Sequence, residues 1–248
     1  MPTAVTGLEA ARSLIASSRR ILAFTGAGVS TGSGIPDFRS PGGVWSRFQP
    51  VLYPDFLASH AARQRYWEMR RSMWPDFARA EPNRMHRMLA ELEARGRLLG
   101  VVTQNIDGLH ERAGSRRVVA LHGTNRRVRC VACAEGGEMA PVMESLEADQ
   151  VPRCSACGGW LKAATISFGQ MLDPDVLRDA FDCAARCDLL IALGSSLVVY
   201  PAAALPEAAV AAGAQVVIVN REATPLDSLA AAVVHGELEE IVPALLGD

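Results

Sequence analysis

Ile21-Leu22-Ala23-Phe24-Thr25-Gly26-Ala27-Gly28-Val29-Ser30 is the stretch on which the reading of the fold turns. Four apolar residues read as a buried strand, and the glycines behind them mark a tight turn into a helix. Glycines there let the backbone approach a pyrophosphate, and a helix N-terminus would add free N–H groups and a partial positive charge. The spacing Gly26-x-Gly28 lacks the third glycine of the dinucleotide fingerprint, since the next is Gly32. A plain strand-to-helix turn explains the stretch equally well.

Outward from this point, short apolar runs alternate with helix-like segments. Leu8, Ala11, Leu14 and Ile15 recur at helical spacing upstream. Downstream, strands are expected over 100–103, 118–121, 188–193 and 215–219, with helices over 84–95, 173–186 and 201–212. Such alternation builds a parallel sheet wrapped by helices, so the expected class is α/β, a Rossmann-like doubly wound parallel sheet. Two segments break the pattern. Residues 55–73 are helical in composition and aromatic-rich, and 126–160 carry four of the six cysteines with little helical periodicity. The expected division is a main domain of 1–50, 96–125 and 161–248, beside a small domain made of a helical insertion (51–95) and a zinc ribbon (126–160). The alanines of 202–212 and 230–232 suit helix or a small-residue packing surface.

The chain has 248 residues, 49% hydrophobic and 21% charged. That is enough to bury a core, which excludes a disordered tract or a disulfide-stapled miniprotein. Lys+Arg is 25 against Asp+Glu 27, a net charge of −2 that gives no pull towards nucleic acid or an anionic membrane. No apolar run reaches the roughly 18–20 residues that span a bilayer. Residues 1–20 lack the basic, apolar and small-residue order of a signal peptide, their basic charges Arg19 and Arg20 coming last. A cytoplasmic location with no membrane or nucleic-acid partner is expected.

Several loops at strand carboxyl ends carry chemistry, which is where open α/β sheets bind ligands. Ser33-Gly34-Ile35-Pro36-Asp37-Phe38-Arg39 joins a turn, a carboxylate, a ring and a guanidinium; a polar surface loop with a buried Phe is the plainer account. Thr103-Gln104-Asn105-Ile106-Asp107 offers side chains for hydroxyls and a carboxamide, while Asn105 and Asp107 could equally cap a following helix. His122, before Gly123, ends a strand and could act as a general base; His60, His86, His110 and His235 sit in helix-like or surface contexts and read as structural. Gly194-Ser195-Ser196-Leu197 suits phosphate, and Val219-Asn220-Arg221-Glu222 suits an adenosine ribose.

Cys130 and Cys133, then Cys154 and Cys157, form two C-x2-C pairs separated by 20 residues. Two such pairs in a reducing compartment read as a four-thiolate zinc site, structural because no position is left for water. Cys183 and Cys187, four apart on a helix, read as buried small hydrophobes.

Taken in order, these motifs resemble those of the sirtuins, the NAD-dependent protein-lysine deacylases. The likeness covers nearly the whole chain, from the strand before Gly26 to Gly236-Glu237-Leu238. It implies that Gly26, Ala27 and Gly28 hold the NAD phosphates and that Asp37, Phe38 and Arg39 belong to a loop over the nicotinamide ribose. Asn105, Ile106 and Asp107 would form the nicotinamide pocket, Asp107 taking the carboxamide, with Gln104 on the ribose. Gly194, Ser195 and Ser196 would touch phosphate or ribose, Asn220 the adenosine ribose, and Leu238 the adenine edge. His122 would be the general base in a reaction that Asn105 and Asp107 help start, giving free lysine, nicotinamide and O-acyl-ADP-ribose. The partners implied are acylated-lysine proteins or peptides.

Many sirtuins carry Pro-Asp-Val-Val at the substrate-binding strand; here it reads Ala163-Ala164-Thr165-Ile166-Ser167-Phe168-Gly169-Gln170. Ile166 and Phe168 can still wall an acyl-lysine tunnel. Desuccinylating sirtuins carry Tyr-x-x-Arg in the helical module, where this chain has Trp67-x-x-Arg70 with Tyr66 one residue earlier. Arg70 could bind a carboxylate, yet the displaced Tyr makes neutral acyl groups the expected substrates. The stretch Arg63-Gln64-Arg65-Tyr66-Trp67, with Trp74-Pro75, resembles the lipoamidase and ADP-ribosyltransferase-type sirtuins, and simple aromatic packing is its alternative. Mono-ADP-ribosyl transfer, NAD hydrolysis and a non-catalytic NAD sensor are the competing functions. A nucleic-acid-binding zinc module is disfavoured, because Arg126, Arg127 and Arg129 are followed by Glu135, Glu138, Glu144 and Glu147.

Overall fold

The computed structural model describes residues 4–247; residues 1–3 of the N-terminal stretch read above, and Asp248, lie outside it. Among the described residues the strands are β1 (Ile21–Thr25), β2 (Leu98–Thr103), β3 (Val118–Ala120), β4 (Gly123–Cys130), β5 (Gly136–Glu138), β6 (Leu161–Thr165), β7 (Leu189–Leu193), β8 (Gln215–Asn220) and β9 (Ala232–His235). The helices are α1 (Ala4–Ser17), α2 (Val44–Arg47), α3 (Tyr53–Ala58), α4 (His60–Arg79), α5 (Arg84–Ala94), α6 (Leu109–Arg112), α7 (Met139–Ser145), α8 (Pro174–Arg186), α9 (Leu205–Ala211) and α10 (Leu238–Leu246). None of them is long and apolar enough to cross a membrane.

β3-β2-β1-β7-β8-β9 form one parallel sheet in that order. Counting only its own strands, the order is 3-2-1-4-5-6, the doubly wound arrangement whose switch point falls between β1 and β7. Both of these central strands are buried along their whole length, which is why each reads as an unbroken apolar run. Strand periodicity divides their side chains between two cores. Ile21 and Ala23 meet Ala11 and Ile15 of α1, Met85, Leu89 and Leu92 of α5, and Val242 and Leu245 of α10. Leu22 and Phe24 meet Ala180 and Cys183 of α8 and Leu205 and Ala209 of α9. Truncating Phe24 to Ala would cost about 3–5 kcal/mol.

β5-β4-β6 form a small antiparallel sheet. It shares one core with α3, α4 and α7, built from Phe56, Tyr66, Trp67, Val128, Met139 and Ala163. The cysteine segment thus borrows its interior from the helical one.

Several expectations are corrected. No α-helix follows Gly28; two short 3-10 turns, Ala27–Val29 and Thr31–Ser33, take its place. Gly32, Gly34 and Pro36 in quick succession prevent a helix from propagating. The small sheet reaches past 126–160, because Gly123 pairs with Thr165 and Cys130 with Leu161. α5 packs on the main sheet rather than with the helical insertion, since Met85, Leu89 and Leu92 line one face at helical spacing. The helix expected over 55–73 is two helices broken at Ser59, whose side chain caps α4 by accepting from the Ala62 N–H. α4 then runs on to Arg79 through Pro75, because Met69, Met73 and Phe77 bury against Ile35, Val44 and Leu109 and outweigh the proline penalty of about 3 kcal/mol. The helix expected over 201–212 is a 3-10 turn, Ala202–Ala204, leading into the shorter α9. Ala232 opens strand β9 rather than a helix, and α10 was not expected.

Candidate active site

At the switch point the loops after β1 and β7 touch backbone to backbone. The Gly28 N–H donates to the Gly194 carbonyl at 3.0 Å, and a Cβ on Gly26 or Gly28 would stand 2.6 Å from Gly194 O or 2.8 Å from Gly194 Cα. Gly194 itself has φ +60, the left-handed region that favours glycine. These glycines therefore serve close main-chain approach at the floor of a cleft of about 470 Å³, a volume typical of ligand sites.

Asn105 is fixed beside this contact. Its Nδ2 donates to Gly26 O and to Ser30 Oγ, both at 3.0 Å, and its backbone N–H donates to Thr103 Oγ1 at 3.0 Å. Both amide hydrogens are committed, so what Asn105 can present to the cleft is Oδ1. Asp107 lies one layer behind. Its Oδ2 accepts from Ser30 Oγ at 2.8 Å and its Oδ1 from the Leu109 N–H at 2.9 Å, so it also holds the first amide of α6, whose N-cap position is Gly108. Burial raises the Asp107 pKa, against the lowering effect of the Leu109 and Ser30 hydrogen bonds. Among the site residues expected around the cleft, Asp107 alone is absent from its wall.

His122 follows β3, and its Nδ1 lies 3.0 Å from the Gln104 carbonyl. A carbonyl only accepts, so Nδ1 carries the proton and the neutral ring has its lone pair on Nε2. Burial lowers the His122 pKa; the Gln104 carbonyl opposes the shift and Arg39 adds to it. Gln104 uses its other end as well, Nε2 donating to Ser195 Oγ at 2.7 Å.

The remaining expected residues ring the same cleft. Gly26, Ala27 and Gly28, Ser195 and Ser196, Asn220 and Leu238 line one part, and Tyr66, Arg70, Ile166 and Phe168 another. Asp37 turns the loop between them. Burial alone would raise its pKa, but hydrogen bonds from Ser40 and Arg39 hold it below the usual value. Asn220 is tied by Nδ2 to the Glu222 carbonyl. Ile106 accepts at its carbonyl from the Asn125 N–H at 2.7 Å.

Arg70 is buried and anchored at both terminal nitrogens, with Nε unpartnered. Nη1 donates to Asn125 Oδ1 at 2.8 Å and Nη2 to Thr165 Oγ1 at 2.9 Å, with the guanidinium 5.0 Å from the Tyr66 ring centre. Tyr66 packs edge-on against Phe56 and Trp67. The wall also holds Trp45, Met69, Thr165 and Tyr200, which the sequence reading did not single out. Trp45 lies 5.3 Å from Phe38 and 6.1 Å from Phe168, closing an aromatic row across the opening. A lone indole just after Gly42-Gly43 was the signal that could have found it.

The four cysteine sulfurs of the two pairs lie within 4.8 Å of one another. Cys130 to Cys157 is 3.5 Å, Cys133 to Cys154 is 3.7 Å and Cys157 to Cys133 is 3.4 Å. Sulfurs about 2.3 Å from one tetrahedral zinc ion would stand about 3.8 Å apart, so the set fits zinc and is far too open for disulfides at about 2.0 Å. Gly159 is part of the fit, since a Cβ there would stand 2.9 Å from the Cys130 sulfur and 3.2 Å from that of Cys157. Amide hydrogen bonds at Cys133 and Ala132 lower the Cys130 thiol pKa, while the crowding of sulfurs raises that of Cys133, so without a cation the cluster does not hold four thiolates. Cys183 and Cys187 are buried in the main core; Cys187 stands just past the end of α8 rather than within it.

A switch-point cleft with an oriented imidazole, in a chain that also gathers four cysteines, is the arrangement of a doubly wound enzyme that carries a separate metal-binding module. A family model described as the Sir2 family matches residues 26–201. The chain belongs to the Sir2 family, the sirtuins. It is 44% identical over 250 residues to an NAD-dependent protein deacetylase of Rhodopseudomonas palustris, covering 100% of this chain and 99% of that one. It is 39% identical over 240 residues to NAD-dependent protein deacylase 2 of Archaeoglobus fulgidus, covering 96% and 94%. A solved Sir2 complex with deacetylated p53 peptide and 3′-O-acetyl-ADP-ribose superposes with TM-score 0.90 at 38% identity, covering 96% of this chain and 97% of that one. A Sir2 protein bound to a propionylated peptide gives 0.83 at 39% identity, covering 94% and 93%.

Proposed function

We propose that this chain is a cytoplasmic NAD-dependent protein-lysine deacylase acting on acylated-lysine proteins or peptides. The observation that carries the reading is His122: its Nδ1 proton is held by Gln104, and its Nε2 is left as an acceptor in a cleft that runs from Gly26 to Phe168. Bound NAD supplies a labile bond between nicotinamide and ribose, and the ribose that takes up the acyl group.

The rest is work for this chain's own groups. The Gly26-Ala27-Gly28 turn, with Gly194, Ser195 and Ser196, offers main-chain and hydroxyl groups to phosphate. Gln104 and Asn220 face the two riboses, Leu238 the adenine edge, and Asp37, Phe38 and Arg39 close the loop over the site. Asp107 was expected to take the carboxamide, but its oxygens are held by Ser30 and Leu109 and it is absent from the cleft wall. We therefore assign that contact to Asn105 Oδ1, in a pocket with Ile106, and give Asp107 the part of steadying Asn105 through Ser30. Ile166, Phe168, Tyr66 and Arg70 wall the acyl-lysine side. His122 takes a proton at Nε2 from a ribose hydroxyl, and burial keeps the ring neutral and ready to accept it. Cys130, Cys133, Cys154 and Cys157 hold one structural zinc, leaving no coordination position for water.

The test is to incubate the chain with NAD and an acetyl-lysine peptide and follow products by mass. Free-lysine peptide, nicotinamide and O-acetyl-ADP-ribose in equal amounts are expected. ADP-ribose on protein, or free ADP-ribose with the peptide still acetylated, would replace this reading with transfer or hydrolysis.

A further inference from the structure

Beneath the Asn105 loop lie two buried histidines that the mechanism above does not use. His86, on α5, is 0% exposed and His110, on α6, is 1% exposed, with ring centres 4.7 Å apart. His86 is held at Nδ1 by Asn83, whose Nδ2 donates to the Val29 carbonyl in the loop after β1. His110 Nε2 lies 3.0 Å from Thr25 Oγ1, and the Thr25 hydroxyl donates to Thr103 Oγ1 at 2.8 Å. Thr25 has one proton and gives it to Thr103, so His110 donates to Thr25 from Nε2. Thr103 Oγ1 in turn accepts the Asn105 backbone N–H. Thr25 and Thr103 are register partners at the carboxyl ends of β1 and β2, so this link crosses between the two strands that deliver the site.

We propose that His110, braced by His86, is a positioning residue that sets the main-chain orientation of Asn105 through the Thr25–Thr103 hydroxyl pair. The inference rests on the deacylase reading. Filling this space needs no imidazole. Each ring leaves one nitrogen, His86 Nε2 and His110 Nδ1, without a protein partner, and a buried unpaired polar group is destabilising. Apolar side chains would serve the core alone better. Burial also drives both pKa values down, His86 to about 4 and His110 to about 3, so the pair stays neutral near pH 7 and the Nε2 proton stays in place. The relay holds the Asn105 backbone from below while Gly26 and Ser30 hold its amide, and together they aim Oδ1.

The experiment compares parent, Thr25→Val, Thr103→Val, His110→Phe, His110→Gln and the Thr25→Val/His110→Phe double variant. Each is assayed for nicotinamide–NAD exchange, deacetylation of an acetyl-lysine peptide, ADP-ribose affinity by calorimetry, and thermal unfolding. Thr25→Val and His110→Phe should each lower kcat for exchange about 10-fold or more, the scale expected when a reacting group is misplaced. KM for NAD and Kd for ADP-ribose should stay within about two-fold, since the fault lies at the nicotinamide end. The double variant should be no worse than the poorer single one, and His110→Gln, which restores a donor, should recover much of the rate. If His110→Phe does not fold, the two valine variants, close in shape to threonine, decide the matter. A folded Thr25→Val that exchanges at the parental rate overturns the relay. So does a loss of exchange matched by an equal loss of ADP-ribose affinity. A parent inactive in both assays overturns the deacylase reading, and the relay falls with it.

Discussion

His122 and Gln104 are joined by a 3.0 Å hydrogen bond from imidazole Nδ1 to a main-chain carbonyl, so the orientation of the ring proposed as the base is set by backbone rather than by a carboxylate. A neutral acceptor fixes the tautomer without adding charge, and burial lowers the ring's pKa, which favours the neutral form with its lone pair on Nε2.

His122→Ala should therefore reduce deacylation by roughly 100-fold or more, the scale of losing a positioned base. Nicotinamide–NAD exchange should survive better, because nicotinamide departure needs no base. In Asn105→Ala and Asp107→Ala exchange and deacylation should fall together. Parallel steady-state assays of both reactions check this, and parental deacylation by His122→Ala would place the base elsewhere.

One zinc per chain should be found by elemental analysis. Stripping it with a chelator should lower the melting temperature and reduce activity only through the loss of structure, since metal binding and folding are linked. Metal with an open coordination position, detected by spectroscopy of a cobalt-substituted sample, would contradict a purely structural role.

Acid should destabilise the fold through the buried imidazoles. His86 at about 4 and His110 at about 3 lie below the unfolded value of 6.5, through burial, with Arg87 and His86 respectively adding to it. The unfolded chain then binds more protons between these values, so stability is complete above the unfolded pKa and drains as pH falls. Each histidine contributes a slope of up to about 1.4 kcal/mol per pH unit in that window. Asp107, raised by burial, acts in the opposite sense. Denaturant titrations at pH 7, 6 and 5 should show the decline, and His86→Gln should make it shallower.

Lys162 makes a prediction on the alkaline side. Burial, then Arg70, lowers its amine from 10.5 to about 7. Its Nζ donates to the Thr165 carbonyl between the Tyr53 and Tyr66 rings. Again the unfolded chain binds more protons between the two values, so this residue should make stability rise from pH 7 to 10. Lys162→Met should flatten that rise in a series of melts.

Arg70 bears on acyl choice. Nη1 and Nη2 are anchored by Asn125 and Thr165, while Nε has no partner, and Tyr66 stands one residue before the position that pairs with such an arginine for an acidic acyl tail. Acetyl- and propionyl-lysine peptides should turn over faster than succinyl-lysine. A panel in which succinyl exceeds every neutral chain would reverse that view.

The main sheet was legible because β1 and β7 are buried on both faces and so carry uninterrupted apolar runs. The cysteine pairs were legible because metal geometry restricts spacing. What escaped the sequence depended on partners distant along the chain. α4 passes through Pro75 only because Phe77 finds Ile35 and Val44. Ala232 opens a strand because β8 offers an edge to pair with. The glycines after β1 read as the head of a helix, although their need is the approach of Gly194, 166 positions past Gly28 in the sequence. His86 and His110, read as structural, are buried beneath the Asn105 loop, a depth no periodicity discloses.

The glycine contact between the β1 and β7 loops also bears on how far this protein can be altered. The floor of the cleft there is set by main-chain contact between Gly28 and Gly194, which trimming a side chain does not relieve. Changes of ligand size, by natural drift or in the laboratory, must then come from the rim, where Phe38, Trp45 and Phe168 form a replaceable aromatic gate. A side chain added at Gly26 or Gly28 would collide with Gly194, whereas the three aromatic residues stand clear of that contact.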